Sequence, residues 1–297
     1  MPDRILVTGA RGFVGRHLRE TLGEAFVPFE GDVLDPATVA AAVKDAQPSA
    51  VVHLAAESSV AGSWDDVSRV WSVNVGGTVN VLEAVGREQP QARVLFPSTG
   101  EVYGRAERVP TPEDEPLAPV SPYAATKAAA EMACAQAARG SGLDVVVARA
   151  FGHEGPGRDE RFAVGSWTRQ IVRLEAQEGG TLYVGDLSAE RDLTDVRDVC
   201  RAYSLLLDPS VPAGTYNVAS GQAVPMQRVL ELLLEQAEAP IEVEQEEARL
   251  RPADIPRLVG DFSRLRDATG WKPEIPLERT LADALEAARQ AEVARVT

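Results

Sequence analysis

Tyr123 and Lys127 stand four residues apart in the run Tyr123-Ala124-Ala125-Thr126-Lys127. On a helix that spacing puts them one turn above each other on one face. A lysine ammonium beside a phenol favours phenolate and predicts a tyrosine pKa below its ordinary value of about 10. A phenol tuned in this way exchanges a proton with a hydroxyl or ketone near neutral pH. A second pattern, Thr8-Gly9-Ala10-Arg11-Gly12-Phe13-Val14-Gly15, follows a short apolar run and opens a helix-like stretch. Gly9, Gly12 and Gly15 in that setting suit a dinucleotide pyrophosphate against a helix N-terminus, with Phe13 and Val14 in its first turn. A redox dinucleotide combined with a proton-transferring phenol is a recipe for carbonyl–alcohol chemistry.

Other residues extend the cofactor reading. Glu30 lies just past the second strand signal, where a carboxylate accepts hydrogen bonds from an adenosine ribose. Asp32, in the turn Gly31-Asp32-Val33, is placed to contact the adenine. Leu54-Ala55-Ala56 ends a strand with small residues, as if backbone and cofactor must approach closely. Glu30 repels a 2′-phosphate and favours NAD, whereas Arg11 and Arg16 attract one and favour NADP. The cofactor is therefore read as NADP or NAD.

The elements that must hold these residues alternate. Strand signals at Arg4–Thr8, Ala25–Phe29, Ala50–Ala55, Arg93–Pro97 and Asp144–Ala150 are separated by helical patterns at Gly12–Gly23, Pro36–Asp45, Ser63–Glu88 and Tyr123–Arg139. Asp35 caps the second helix ahead of Pro36. Repeated β-α-β units predict an α/β fold, a Rossmann-like doubly wound parallel sheet. Beyond Phe151 the pattern loosens into turns such as Gly155-Pro156-Gly157, which predicts a smaller C-terminal α/β lobe for substrate. The division is read as 1–151, with a return segment at about 191–219, against 152–190 and 220–297. Glu242–Arg249 reads as a solvated strand and turn, and Arg279–Arg295 as a surface helix.

Composition narrows the class. The chain has 297 residues, 44% of them hydrophobic, enough for a full core, and a formal charge of −15. That charge, with no basic stripe against it, argues against nucleic acid. It also means that any phosphate-bearing ligand must be held by local arginines or helix N-termini. No apolar run approaches a membrane span, and Ile5-Leu6-Val7 reads as a first strand, not a leader. His17, His53 and His153 lack ligand spacing, so no metal site is expected. Cys134 and Cys200 sit in apolar, helix-like surroundings and read as free thiols of a cytoplasmic protein.

Taken together, the motifs resemble the extended short-chain dehydrogenases/reductases that act on nucleotide sugars. Thr8–Gly15, His53-Leu54-Ala55-Ala56, Asn74-Val75-Gly76-Gly77-Thr78, Ser98-Thr99-Gly100-Glu101-Val102-Tyr103-Gly104 and Tyr123–Lys127 carry the resemblance. Three later stretches, Arg191–Asp198, Tyr216–Gly221 and Arg249–Pro256, are similar to the GDP-4-keto-6-deoxy-D-mannose reductases. The resemblance implies NAD(P)H-dependent reduction of a GDP-4-keto-6-deoxyhexose at carbon 4, giving GDP-6-deoxy-D-mannose. It assigns Tyr123 as general acid, Lys127 to the phenol and nicotinamide ribose, and Thr99 to the substrate oxygen. Glu101 sits where some dehydratases keep a base, and Asn74 falls in a cofactor motif. On the substrate side it implies Ser58, Ser59, His153, Arg191, Arg251 and Asp254, with Thr168 and Arg169 toward the nucleotide base. It also implies a homodimer through 63–88 and 121–139.

Two positions depart from the pattern. Gly152 replaces an asparagine that relatives place near the substrate phosphates, and Gly100 replaces the acid of one dehydratase class. GDP-mannose 4,6-dehydratase and nucleotide-sugar 4-epimerase remain alternatives. So does a non-catalytic NAD(P)-binding sensor, although such a protein needs no Thr99–Tyr123–Lys127 set.

Overall fold

The computed structural model describes residues 3–249 and 255–296. Its centre is a six-stranded parallel sheet. β1 (Ile5–Thr8), β2 (Phe26–Pro28), β3 (Ala50–His53), β4 (Arg93–Thr99) and β5 (Val145–Ala150) are joined at the β5 edge by Gly214–Val218. The order is Gly214–Val218, β5, β4, β3, β1, β2. The order reverses beside β1, the kind of point where doubly wound sheets bind nucleotides.

Both faces of the sheet are covered, so its strands are buried on both sides and mostly apolar rather than alternating with exposed polar residues. The period of two still sorts the side chains. Ile5, Val7, Val52, Leu95, Val146 and Ala148 join one core with Leu18, Val199 and Tyr203, beneath helix α1 (Phe13–Leu22) and helix Val196–Leu206. Leu6, Val51, Val94, Phe96 and Val147 join the opposite core, beneath helix α2 (Pro36–Ala46), helix Gly77–Glu88 and helix Pro122–Ser141. Asp35 caps α2 by accepting the Ala37 amide at 3.0 Å.

A third hydrophobic cluster lies outside the sheet. Trp167, Ile171, Leu182, Leu230, Leu233, Leu281 and Leu285 bring together helices Ala163–Glu175, Met226–Leu234 and Leu277–Val296 with strand Gly180–Val184. The last helix therefore departs from the surface element read in the sequence. Leu281 and Leu285 are completely buried, and four residues is about one turn, so they form one stripe.

The continuous helix expected over Ser63–Glu88 is also corrected. A 3-10 turn at Gly62–Trp64, a short helix at Val67–Trp71 and a π-helical segment at Ser72–Gly76 precede Gly77–Glu88. The wide turn contains Asn74, which is 1% exposed. Its side chain accepts the Glu57 amide at 2.8 Å and donates to the Glu57 carbonyl at 3.1 Å and to Thr126 Oγ1 at 2.9 Å. Pinning the loop after β3 to helix Pro122–Ser141 is thus the work of a π-bulge.

Candidate active site

The carboxyl ends of β1, β3, β4 and β5 open into one cleft of about 1070 Å³. Its cofactor wall is built from backbone. Gly9 has φ +67°, and the Gly12 amide donates back to the Gly9 carbonyl at 2.9 Å, so the chain turns sharply out of β1 into α1. A Cβ on Gly9 would lie 2.7 Å from the Ala55 amide nitrogen, and one on Gly15 2.5 Å from the Gly9 carbonyl. The loop is closed against itself and the cleft at once, which is the cradle a pyrophosphate needs. Thr8 completes it from below: its hydroxyl accepts the Ala55 amide at 3.1 Å and lies 2.8 Å from His53 Nδ1. Burial, then the nearby Lys127 charge, push His53 down to about 3, so that ring is neutral.

The proton-transfer wall comes from β4 and helix Pro122–Ser141. Ser121 caps that helix by accepting the Ala124 amide at 3.2 Å, and Pro122 takes its first position. Ala124, Ala130 and Ala137 on its buried face let the axis lie close to the sheet. Tyr123 and the Thr99 hydroxyl then line the same wall of the cleft. Thr99 also caps the turn Gly100–Tyr103 by accepting the Glu101 amide at 3.2 Å.

The electrostatics correct the sequence reading. Burial, followed by the Glu101 carboxylate, pushes the Tyr123 phenol up to about 12; Thr99 and Arg158 act in the opposite direction. The Lys127 ammonium is not what tunes it. That ammonium lies 4.2 Å over the Phe96 ring, and burial brings it down to about 8. In this state Tyr123 holds its proton, which suits a donor to a nascent alkoxide rather than a base.

The cleft collects most of the residues singled out in the sequence. Gly9, Arg11, Gly12, Phe13, Val14, Gly15, Asp32, Val33, Leu54, Ala55, Ala56, Ser58, Ser59, Thr99, Glu101, Tyr123, Lys127, His153, Thr168, Arg169 and Arg191 all line it. Glu30 does not; its side chain is exposed, while its neighbours Phe29 and Gly31 line the wall. Asn74 does not either, because its amide is spent on the bracket to Glu57 and Thr126. Arg251 and Asp254 lie outside the described residues. Thr168 donates its hydroxyl to the Gly165 carbonyl at 3.1 Å, and Arg191 donates to the Glu190 and Ile255 carbonyls at 2.9 and 2.7 Å.

Both departures have a steric reason. A Cβ on Gly100 would stand 2.8 Å from the Phe151 ring, and one on Gly152 2.7 Å from the Asp192 carbonyl. Neither position has room for a carboxylate or an amide.

Several lining residues escaped the sequence reading: Glu154, Arg158, Arg161, Phe162, Tyr183, Asp186 and, on the last helix, Ala287, Ala288, Ala291 and Glu292. Arg158 directly follows the Gly155-Pro156-Gly157 turn, a signal that was visible. Among the described residues no group of acids, histidines and cysteines could hold a metal ion, and no helix is long and apolar enough to cross a membrane. Cys134 and Cys200 are buried and unpaired with each other.

Residues 23–284 match the GDP-mannose 4,6-dehydratase family. The chain belongs to that family. A GDP-6-deoxy-D-mannose reductase of Pseudomonas aeruginosa is 38% identical over 95% of each chain. The solved structure of RMD from Pseudomonas aeruginosa complexed with NADPH superposes with a TM-score of 0.89 at 37% identity, covering 97% of this chain and 99% of that one. A Thermus thermophilus UDP-glucose 4-epimerase in complex with NAD gives 0.86 at 30% identity, covering 97% and 99%. The fold of this family member is accordingly that of the extended short-chain dehydrogenases/reductases.

Proposed function

We propose that this protein is an NAD(P)-dependent oxidoreductase that reduces the 4-keto group of a GDP-4-keto-6-deoxyhexose to GDP-6-deoxy-D-mannose. The carrying observation is that Thr99, Tyr123 and Lys127 line one cleft together with the glycine cradle Gly9–Gly15. Gly9–Gly15 and Lys127 would hold the dinucleotide, which when bound would supply hydride. Thr99 and Tyr123 hold the ketone oxygen, and the Tyr123 hydroxyl gives its proton to the oxygen as the alkoxide forms. Overall a ketone, a reduced dinucleotide and a proton become an alcohol and the oxidised dinucleotide. Arg11, Asp32, Val33, Leu54, Ala55 and Ala56 serve the adenosine half. Ser58, Ser59, His153, Thr168, Arg169 and Arg191 serve the nucleotide sugar, joined by Arg251 and Asp254.

Residues 1–151, with 191–219, form the dinucleotide-binding part in this reading, and 152–190 with 220–297 the substrate part. A cytoplasmic homodimer through 63–88 and 121–139 is part of the same proposal; exposed Trp64, Trp71 and Met132 on or beside those segments support it.

The test is direct. GDP-4-keto-6-deoxymannose should consume NADPH or NADH in equal molar amount, and no consumption with either would remove the reductase reading. One observation favours a second reading: Glu101 lines the cleft and acts on Tyr123, where a dehydratase would need a base. Formation of a 4-keto sugar from GDP-mannose alone would make dehydration the reaction.

A further inference from the structure

Arg158 is a cation built into the cleft wall without a full partner. Its side chain is 12% exposed. The guanidinium lies 3.7 Å from the centre of the Phe162 ring and 4.8 Å from that of Phe13, so aromatic faces hold it in place. Its Nε faces Glu154 Oε2 at 3.4 Å, long for a charge-assisted bond, and neither atom makes a hydrogen bond among the described residues. Burial pushes the Glu154 carboxyl up to about 7, so near neutrality this counter-charge is weakened. A buried cation so weakly matched is costly unless an anion completes it.

The neighbours do not offer the same. Arg161 is committed to Asp159 at 2.8 Å, Arg249 to Glu246 at 2.6 Å, and Arg16 to the Gly157 carbonyl at 3.0 Å. Gly152 presents no side chain. Phe13 opens helix α1, and Phe162 caps helix Ala163–Glu175 across the cleft. Arg158 thus stands between the cofactor cradle and the substrate wall.

We propose that Arg158 clamps a diphosphate in the cleft, held ready by Phe13 and Phe162, with Glu154 as the counter-ion the ligand displaces. It rests on the reading that the cleft takes diphosphate-bearing nucleotides, and leaves open by chemistry alone whether the dinucleotide's or the sugar nucleotide's diphosphate is gripped. Calorimetry on the intact protein with NADPH, GDP and GMP separates these sources without turnover. Arg158→Gln should weaken GDP by roughly tenfold or more while moving GMP little, or weaken NADPH by that factor. The first result assigns the substrate's diphosphate and the second the cofactor's. Unchanged affinity for both, or an equal loss for GDP and GMP, overturns the clamp. Glu154→Gln should bind as tightly as the parent or up to about threefold tighter; a loss matching Arg158→Gln would make the pair a structural bracket and overturn it. Were Arg158→Gln not to fold, Arg158→Lys carries the test through the GDP-to-GMP affinity ratio, which must fall when the planar fork is lost. Failure of the keto sugar to consume cofactor is a separate result, because binding is read directly.

Discussion

Two buried cations flank Glu131, and they have opposite fates. Arg149 lies beneath the cleft on β5, where its guanidinium donates to Glu131 Oε2 at 2.6 Å and to the Tyr103 hydroxyl at 2.9 Å. Ser98 adds its hydroxyl to the same carboxylate, and Tyr103 donates to Asn217 Oδ1 at 2.7 Å. Burial alone would lower Arg149, but Glu131 and Tyr103 together outweigh it and raise the group above its ordinary value. Lys127 sits one helical turn before Glu131, on the cleft side. It finds an aromatic ring where Arg149 finds a carboxylate, and its pKa falls. One carboxylate is thus committed to holding β4, β5 and the helix together, which leaves the lysine poised. The general lesson is that satisfied charge builds the floor and unsatisfied charge lines the site.

Removing the satisfied partner should do the most damage. Arg149→Met strands the Glu131 carboxylate in the core and should cost about 3–5 kcal/mol in chemical denaturation. Replacing both, Arg149→Met with Glu131→Leu, should recover much of that loss. A single-variant cost under about 1 kcal/mol would erase the distinction between floor and site.

On the site side, Tyr123→Phe keeps the ring and loses the proton. Turnover should fall about 100-fold or more, while the dinucleotide dissociation constant stays within about threefold. Near-normal turnover would dismiss Tyr123 as the donor.

Lys127 sharpens the contrast through pH. Its folded pKa is about 8 against an ordinary 10.5. Between those values the unfolded chain binds more protons, so stability rises with pH across that window; below 8 the cost of the charge is fully present. Lys127→Met lacks this titration. The variant should exceed the parent in stability at pH 7 by up to about 3 kcal/mol, less whatever packing is lost, and the gap should close above pH 10.5. A gap that widens with rising pH would show that Lys127 is not strained.

Much of this was legible in the chain. The strand–glycine–helix order and the Tyr123–Lys127 spacing are local signals, and local signals survive without a structure. What one helical turn could not reveal was where the ammonium points. Phe96, from a strand, takes the ammonium, while burial and then Glu101 raise the phenol where adjacency predicted a fall. Asn74 lies in the right motif, but a π-bulge turns its amide inward. Arg279–Arg295 reads as a surface helix by composition, yet in helix Leu277–Val296 one stripe completes a core and several alanines line the cleft.

The smallest effects lie at the rim, where Arg11 and Glu30 were set against each other in reading the cofactor. The structure separates them. Arg11 lines the cleft at an exposed point of the glycine loop, whereas the Glu30 side chain stays outside it. Asp32 holds the intervening turn by accepting the Leu34 amide at 2.9 Å. A 2′-phosphate on the adenosine ribose would meet Arg11 without facing a buried acid, and an exposed charge-assisted contact is worth about 1 kcal/mol. Arg11→Gln should therefore weaken NADPH by about fivefold relative to NADH, and Glu30→Gln should change the ratio by less than about twofold. Fluorescence titration with both dinucleotides measures it. Should Glu30→Gln instead strengthen NADPH by the larger factor, the carboxylate reaches the ribose after all, and the rim must rearrange when the cofactor enters.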